Sequence, residues 1–126
     1  EIKWGLVPDM SGTQTLRDLV RLDVAKELAL SGRVVGAEEA ARLGLVTRVC
    51  EDPRAEALAL ARAIASKSPD AIRATKQLLE TAWHADARSG LALEASLQRS
   101  LIGSPNQLEA VSANFEKRDP RFRDPA

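Results

Sequence analysis

The sequence predicts a mainly α-helical fold of five to seven helices, with at most one short strand pair. Three observations carry this expectation. Apolar residues recur three and four positions apart along most of the chain, as they do on one face of a helix. Helix-starting residues stand in front of those runs: Ser11, Asp23, Asp52-Pro53, Ser68-Pro69 and Ser104-Pro105. The chain is 44% hydrophobic yet has only two Trp, two Phe and no Tyr. Its interior must therefore be built from Leu, Val, Ile and Ala, which suit close-packed helices.

In chain order, Ser11-Gly12-Thr13-Gln14 fits a capping box, with the Ser hydroxyl on the first turn and Gln14 reaching back. Leu16, Leu19 and Val20 give the first helix its apolar stripe. Asp23 is placed to cap a second helix carrying Ala25, Leu28 and Ala29, and Gly32 is a natural stop. Residues 37–43 are rich in Ala and Glu and end at Gly44, another stop. Leu45 to Cys50 is β-branched and alternating enough for a short strand. Asp52-Pro53 then opens an Ala-rich helix to about Lys67. Ser68-Pro69 opens the next, with Ile72, Leu79 and Trp83 at helical spacing. Residues 88–101 form a further helix, and Ser104-Pro105 begins the last, with Leu108, Val111 and Phe115 on one face. The tail from Asp119 to Ala126 is charged and broken by proline, and reads as a loose terminus.

Composition narrows the function. A chain of 126 residues is enough for one domain and one core. Eighteen basic and eighteen acidic side chains cancel, which argues against a nucleic-acid footprint. No apolar run reaches the length of a membrane span, and no signal peptide is visible. The single cysteine, Cys50, cannot form an internal disulfide, so a reducing cytoplasmic home is the default; it reads as a small buried apolar group. No His/Cys cluster has metal-ligand spacing, and the glycines form no phosphate-cradling loop. His84, the only histidine, has no nucleophile in a matching context and reads as structural or solvated.

The chemistry-bearing residues gather at the start. Glu1 and Asp9 flank an apolar stretch that is interrupted by Gly5 and Pro8, just before a helix. If the chain doubles back at Pro8, the two carboxylates face one small volume. A pair held so would titrate apart into an acid and a base. A solvated Glu and a turn Asp is the plainer reading of the same spacing.

The motif Glu-Ile-x-x-Gly-x-Val-Pro-x-x-x-Gly-Thr-Gln-x-Leu, spanning Glu1 to Leu16, closely resembles the crotonase (enoyl-CoA hydratase/isomerase) superfamily just after its catalytic core. Further matches follow in order: Ala25-Lys26-Glu27-Leu28 with Ser31-Gly32-Arg33, Gly36-Ala37-Glu38-Glu39-Ala40 through Gly44-Leu45-Val46, Ser68-Pro69 with Lys76, and Phe115-Glu116-Lys117-Arg118. The resemblance runs nearly end to end. It implies the C-terminal helical part of a crotonase-like α/β (ββα spiral) fold. Residues 1–20 would be the catalytic loop and first helix, and 21–126 a helical acyl-pocket and oligomerisation domain.

The resemblance also implies roles. Crotonases hold the acyl-CoA thioester carbonyl with two backbone N–H groups, and their hydratases add water across C2–C3 with two Glu side chains. One of these falls on Glu1. The other Glu and both N–H groups would precede residue 1, so the abrupt start at Glu1 implies a missing upstream half. Trp4, Pro8 and Met10 are candidates to line the acyl pocket, although Trp4 and Met10 could equally wedge the loop against its own helix. Lys117 matches a Lys that in several members reaches the CoA phosphates of a neighbouring subunit; a solvated surface charge is the simpler reading. Asn114 stands where an aromatic often precedes that Lys, which puts stacking on the adenine in doubt.

Asp9 departs from the hydratase pattern, where a small residue follows the Pro. A Glu followed eight residues later by Asp resembles the dienoyl-CoA isomerases of the superfamily. The resemblance thus implies an enoyl-CoA hydratase first and a dienoyl- or enoyl-CoA isomerase second. It implies trimers or hexamers, an acyl-CoA substrate, and no redox cofactor or metal. A non-catalytic helical interaction module is the competing class.

Overall fold

The computed structural model describes residues 1–124, in which seven α-helices and no strand are found. The chain divides into two compact units, one from Glu1 to Arg54 and one from Ala55 onward. The first holds a 3-10 turn (Ile2–Trp4) and helices α1 (Gly12–Leu19), α2 (Leu22–Ser31) and α3 (Ala37–Leu43). Helix α4 (Pro53–Ala65) starts at its end. The second continues with α5 (Pro69–Ala82), α6 (Ala87–Leu101) and α7 (Pro105–Phe115). Among the described residues no helix is long and apolar enough to cross a membrane.

Within the first unit α1 and the 3-10 turn both pack on α2. Gly32 ends α2 in a left-handed conformation (φ 60°), its N–H donating to the Leu28 carbonyl at 3.0 Å. The position needs glycine twice over. A Cβ there would also stand 2.8 Å from the Cγ2 of Ile2. Arg33 follows and joins α2 to α3: its Nε donates to Glu27 at 2.8 Å, and its two terminal nitrogens form a fork on Glu39 at 3.0 and 2.8 Å. A forked guanidinium–carboxylate pair fixes orientation better than a single contact does.

Two expected starts differ in detail. Ser11 lies in the left-handed region (φ 61°) and makes no side-chain cap hydrogen bond, and Gln14 bonds its neighbour Thr13 instead. The capping box therefore does not form. Helix α2 begins one residue ahead of Asp23, with Arg21 at its cap; Asp23 sits in the first turn and takes a double hydrogen bond from Arg21 at 3.0 and 2.7 Å. The strand expected over Leu45–Cys50 is irregular backbone. A strand requires a neighbour to receive its N–H and C=O groups, and none exists among the described residues. Cys50 is half-buried rather than buried.

In the second unit α5 packs mainly along α6, with α7 against α5. Its three helix starts are capped by side chains: Ser68 accepts from Ala71 N, Asp86 from Ser89 N at 3.0 Å, and Ser104 from Gln107 N at 3.3 Å. On α7 the residues turned inward are Asn106 and Ala113, at 4% and 1% exposure. Leu108, Val111 and Phe115 are exposed.

The tail also departs from expectation. Residues expected to be loose are latched onto α7: Asn106 Oδ1 accepts from Arg123 N at 2.8 Å, while Asn106 Nδ2 donates to Arg123 O at 2.9 Å and to Asp70 Oδ2 at 2.8 Å. Glu109 Oε1 accepts from Arg121 N at 2.7 Å. A side-chain amide can satisfy a backbone N–H and C=O together, which holds an irregular segment as a sheet ladder would. Pro125 and Ala126 lie outside the described residues.

Candidate active site

Glu1 sits at the head of the 3-10 turn. Its carbonyl accepts from Trp4 N at 2.8 Å and Leu6 N at 3.1 Å, and Ile2 O accepts from Gly5 N at 3.0 Å. Gly5 closes the turn in the left-handed region (φ 70°). The reversal thus falls at Gly5, and the chain bends again at Met10 and Ser11, not at Pro8. The contact of Ile2 with Gly32 anchors this turn on the end of α2, so the backbone carrying Glu1 is fixed while its side chain faces outward.

Asp9 is exposed on the irregular stretch between the two bends. Pro8 is half-buried and close to the start of α1, where a Cβ on Gly12 would meet its ring at 3.1 Å. Pro8 also lines an apolar groove of about 470 Å³ between α1 and α2, with Leu16, Val20, Leu22, Ala25 and Ala29. Trp4 and Met10 do not line it; they are 77% and 85% exposed. Lys3 places its ammonium 5.8 Å from the Trp4 ring centroid, an exposed cation–π contact. Of the three candidate lining residues, Pro8 alone lines this groove.

Lys117, in the second unit, is described by itself. It is exposed and left-handed (φ 54°), just past the end of α7. Its N–H donates to Asn114 O at 3.3 Å, and Arg118 N donates to Ala113 O at 3.0 Å. This pair of bonds is a Schellman motif, in which the left-handed position is usually glycine. The same motif closes α3, where Gly44 (φ 90°) takes that position. Arg118 is held from several sides: a fork onto Glu109 at 2.6 and 3.1 Å, Nε onto Glu116 at 2.6 Å, and a bond to Asp119 O at 3.2 Å. The Arg118 guanidinium, with the Arg121 amide, holds the Glu109 carboxyl down at about 2.

The sequence matches the enoyl-CoA hydratase/isomerase family model over residues 1–125. The chain belongs to that family. It is 38% identical to a probable enoyl-CoA hydratase of Mycobacterium bovis over 97% of this chain and 48% of that protein. It is 33% identical to the mitochondrial methylglutaconyl-CoA hydratase of Mus musculus over 98% of this chain and 41% of that protein. Its fold matches an enoyl-CoA hydratase from Bacillus anthracis with a TM-score of 0.92 at 32% identity, covering 98% of this chain and 49% of that one. The chain thus spans about half the length of the curated relatives it matches. Membership in a crotonase family and a helical half of a crotonase fold agree with the resemblance in the motifs.

The sequence singles out Glu1, Pro8 and Lys117 through family motifs, but not what supports their backbone. Gly32 reads as a helix stop, with no local sign that Ile2 rests on it. Glu109 and Asn106 carry no motif at all, because their partners lie up to 36 residues away.

Proposed function

We propose that this chain supplies one of the two acid–base carboxylates of an enoyl-CoA hydratase-type lyase. The observation that carries the reading is the turn at Glu1: a family-matched Glu on a backbone fixed by two hydrogen bonds and by the Ile2–Gly32 contact, with its side chain open. The hydratase names of the relatives support the same reaction class.

In this mechanism the thioester carbonyl is polarised by two backbone N–H groups. Water then attacks C3, and the C2–C3 π pair moves onto the thioester as an enolate. A second Glu takes the proton of the attacking water. Glu1 helps position that water and handles the proton delivered to C2, which completes the hydroxyacyl thioester. The second Glu and the N–H groups come from the part of the relatives' length that lies outside this chain. Lys117 meets the phosphates of coenzyme A on a neighbouring subunit, in a homotrimer or dimer of trimers. Coenzyme A enters as part of the substrate, with no redox cofactor, metal, nucleic acid or membrane partner, in the cytoplasm.

Asp9 favours a second reading, proton transfer along a 3,5-dienoyl-CoA between Glu1 and Asp9. Product analysis of the enzyme containing this chain separates the two. Hydration of a 2-trans-enoyl-CoA is expected. A 2,4-dienoyl product from the 3,5-dienoyl substrate, without hydration of the simple enoyl thioester, would reverse the assignment. The 126-residue chain alone is expected to be inactive and to self-associate through its exposed apolar side chains, among them Val34 and Phe115. An inactive full-length enzyme would leave the helical interaction module as the reading.

A further inference from the structure

The geometry points to Glu109 and Arg118 as positioning residues that fix the backbone from which Lys117 extends its ammonium to the nucleotide end of an acyl-CoA. The inference rests on the reading that Lys117 meets coenzyme A phosphates. It goes beyond that reading by naming what fixes the cation and by explaining the backbone beneath it.

The motif that ends α7 has two versions in this chain. At α3 the left-handed corner is Gly44, where the backbone conformation carries no side-chain strain. At α7 the same corner is Lys117, a residue that reaches this region only at a steric cost. Such conformations persist where the surroundings over-determine them, and they cluster at ligand sites. Here the surroundings are on the page. The residue after Lys117 is clamped: Arg118 forks onto Glu109 from α7 and onto Glu116, while its own N–H closes the helix on Ala113. Glu109 is fixed in turn by the Arg121 amide, so the clamp is tied to the tail as well.

The charges sort in the same way. Arg118 spends its guanidinium on two carboxylates and a carbonyl, so it is not the group that faces an incoming phosphate. Among the described residues Lys117 has no ion-pair partner. A flexible ammonium loses phosphate affinity to the entropy of its four-carbon stem, and fixing its root narrows the volume it must search. The clamp therefore acts on substrate binding through Lys117.

The test measures kcat/KM for an enoyl-CoA and for the matching enoyl thioester of N-acetylcysteamine, which lacks the nucleotide and its phosphates. The readout is the ratio of the two in the enzyme containing this chain. Lys117→Ala is expected to lower that ratio about tenfold, the loss of one charge-assisted contact. Glu109→Gln is expected to lower it roughly threefold through a higher KM for the CoA thioester. Arg118→Lys, which keeps the charge but loses the fork, is expected to do the same, and it carries the test should Glu109→Gln fold poorly. Glu109→Gln added to Lys117→Ala is expected to lower the ratio no further. An unchanged ratio in Lys117→Ala would remove the CoA reading of Lys117 itself. A lowered ratio there with an unchanged ratio in both Glu109→Gln and Arg118→Lys would overturn the clamp alone, as would an equal loss on both thioesters in the clamp variants.

Discussion

Ile2 rests on the bare Cα of Gly32, so close that a Cβ built there would stand 2.8 Å from the Ile2 Cγ2. Through this contact the end of α2 supports the turn that carries Glu1. Gly32→Ala is expected to lower stability by about 1 kcal/mol from the left-handed backbone alone. It is also expected to push Ile2 outward and, with it, Glu1. A displacement near 1 Å can cost up to about a hundredfold in rate, so a fall in kcat for hydration of at least about tenfold is expected. Shortening the clashing side chain separates the two effects. Adding Ile2→Ala to Gly32→Ala should recover part of the kcat while leaving the melting temperature low. A Gly32→Ala enzyme with full kcat would show that the contact does not matter to Glu1.

Asn106 is the buried polar residue on which the tail depends, serving Arg123 N, Arg123 O and Asp70 at once. Asn106→Ala removes the partner of three part-buried groups. An expected loss of about 1 kcal/mol follows from the net worth of ordinary hydrogen bonds whose remaining groups water can reach. The effect should be local as well as global: amide hydrogen exchange at Arg123 should accelerate far more than at residues within α6. A denaturation midpoint equal to that of the parent, with Arg123 still protected, would count against the latch.

What could be read from the sequence divides by the range of the interaction. Ser68, Ser104, Gly32 and Gly44 act within one helical turn, and their positions mark the ends of α5, α7, α2 and α3 as expected. Ser11 has the right spacing for a cap, but capping also needs a backbone angle that spacing does not specify, and φ 61° forbids it. Leu45–Cys50 has strand composition, yet a strand is a pairing and no partner is available among the described residues. The tail looks loose because Asn106 and Glu109 reach it across 17 and 12 residues. Glu1 stands out only through the motif around it; two exposed carboxylates eight residues apart specify no chemistry.

The Glu109–Arg118 pair sets a pH dependence of stability. Its carboxyl is lowered from an ordinary 4.5 to about 2, first by the Arg118 hydrogen bonds and then by the Arg121 amide. A depressed folded-state pKa means that the unfolded chain binds the proton more readily. The stabilisation is therefore complete above pH 4.5 and is lost as pH falls towards 2. Asp23, lowered to about 2 by Arg21, acts in the same direction. In thermal melts the gap between the parent and Glu109→Gln should be constant at neutral pH and begin to narrow below about pH 4.5. A gap that widened on acidification would contradict the pairing.

Glu1 and Asp9 distinguish proton delivery at one carbon from proton shuttling between two. Glu1→Gln keeps the shape and hydrogen-bonding reach of the side chain but cannot exchange a proton. Its expected effect on hydration of a 2-enoyl-CoA is a fall in kcat of roughly 10²–10⁴-fold, the range of general acid–base catalysis. KM should change little, because the lost interaction belongs to the transition state. Asp9→Asn tests the other role. As an exposed residue of the irregular stretch beside Pro8, it should reduce hydration by less than about tenfold, within the reach of small positional changes. If Asp9 instead holds one end of a proton relay, Asp9→Asn should abolish conversion of the 3,5-dienoyl thioester as completely as Glu1→Gln does. Stopped-flow traces on both substrates with both variants give four rates. Equal collapse of hydration in the two variants would make Asp9 an acid–base partner of Glu1, whereas collapse in Glu1→Gln alone leaves Asp9 outside the chemistry.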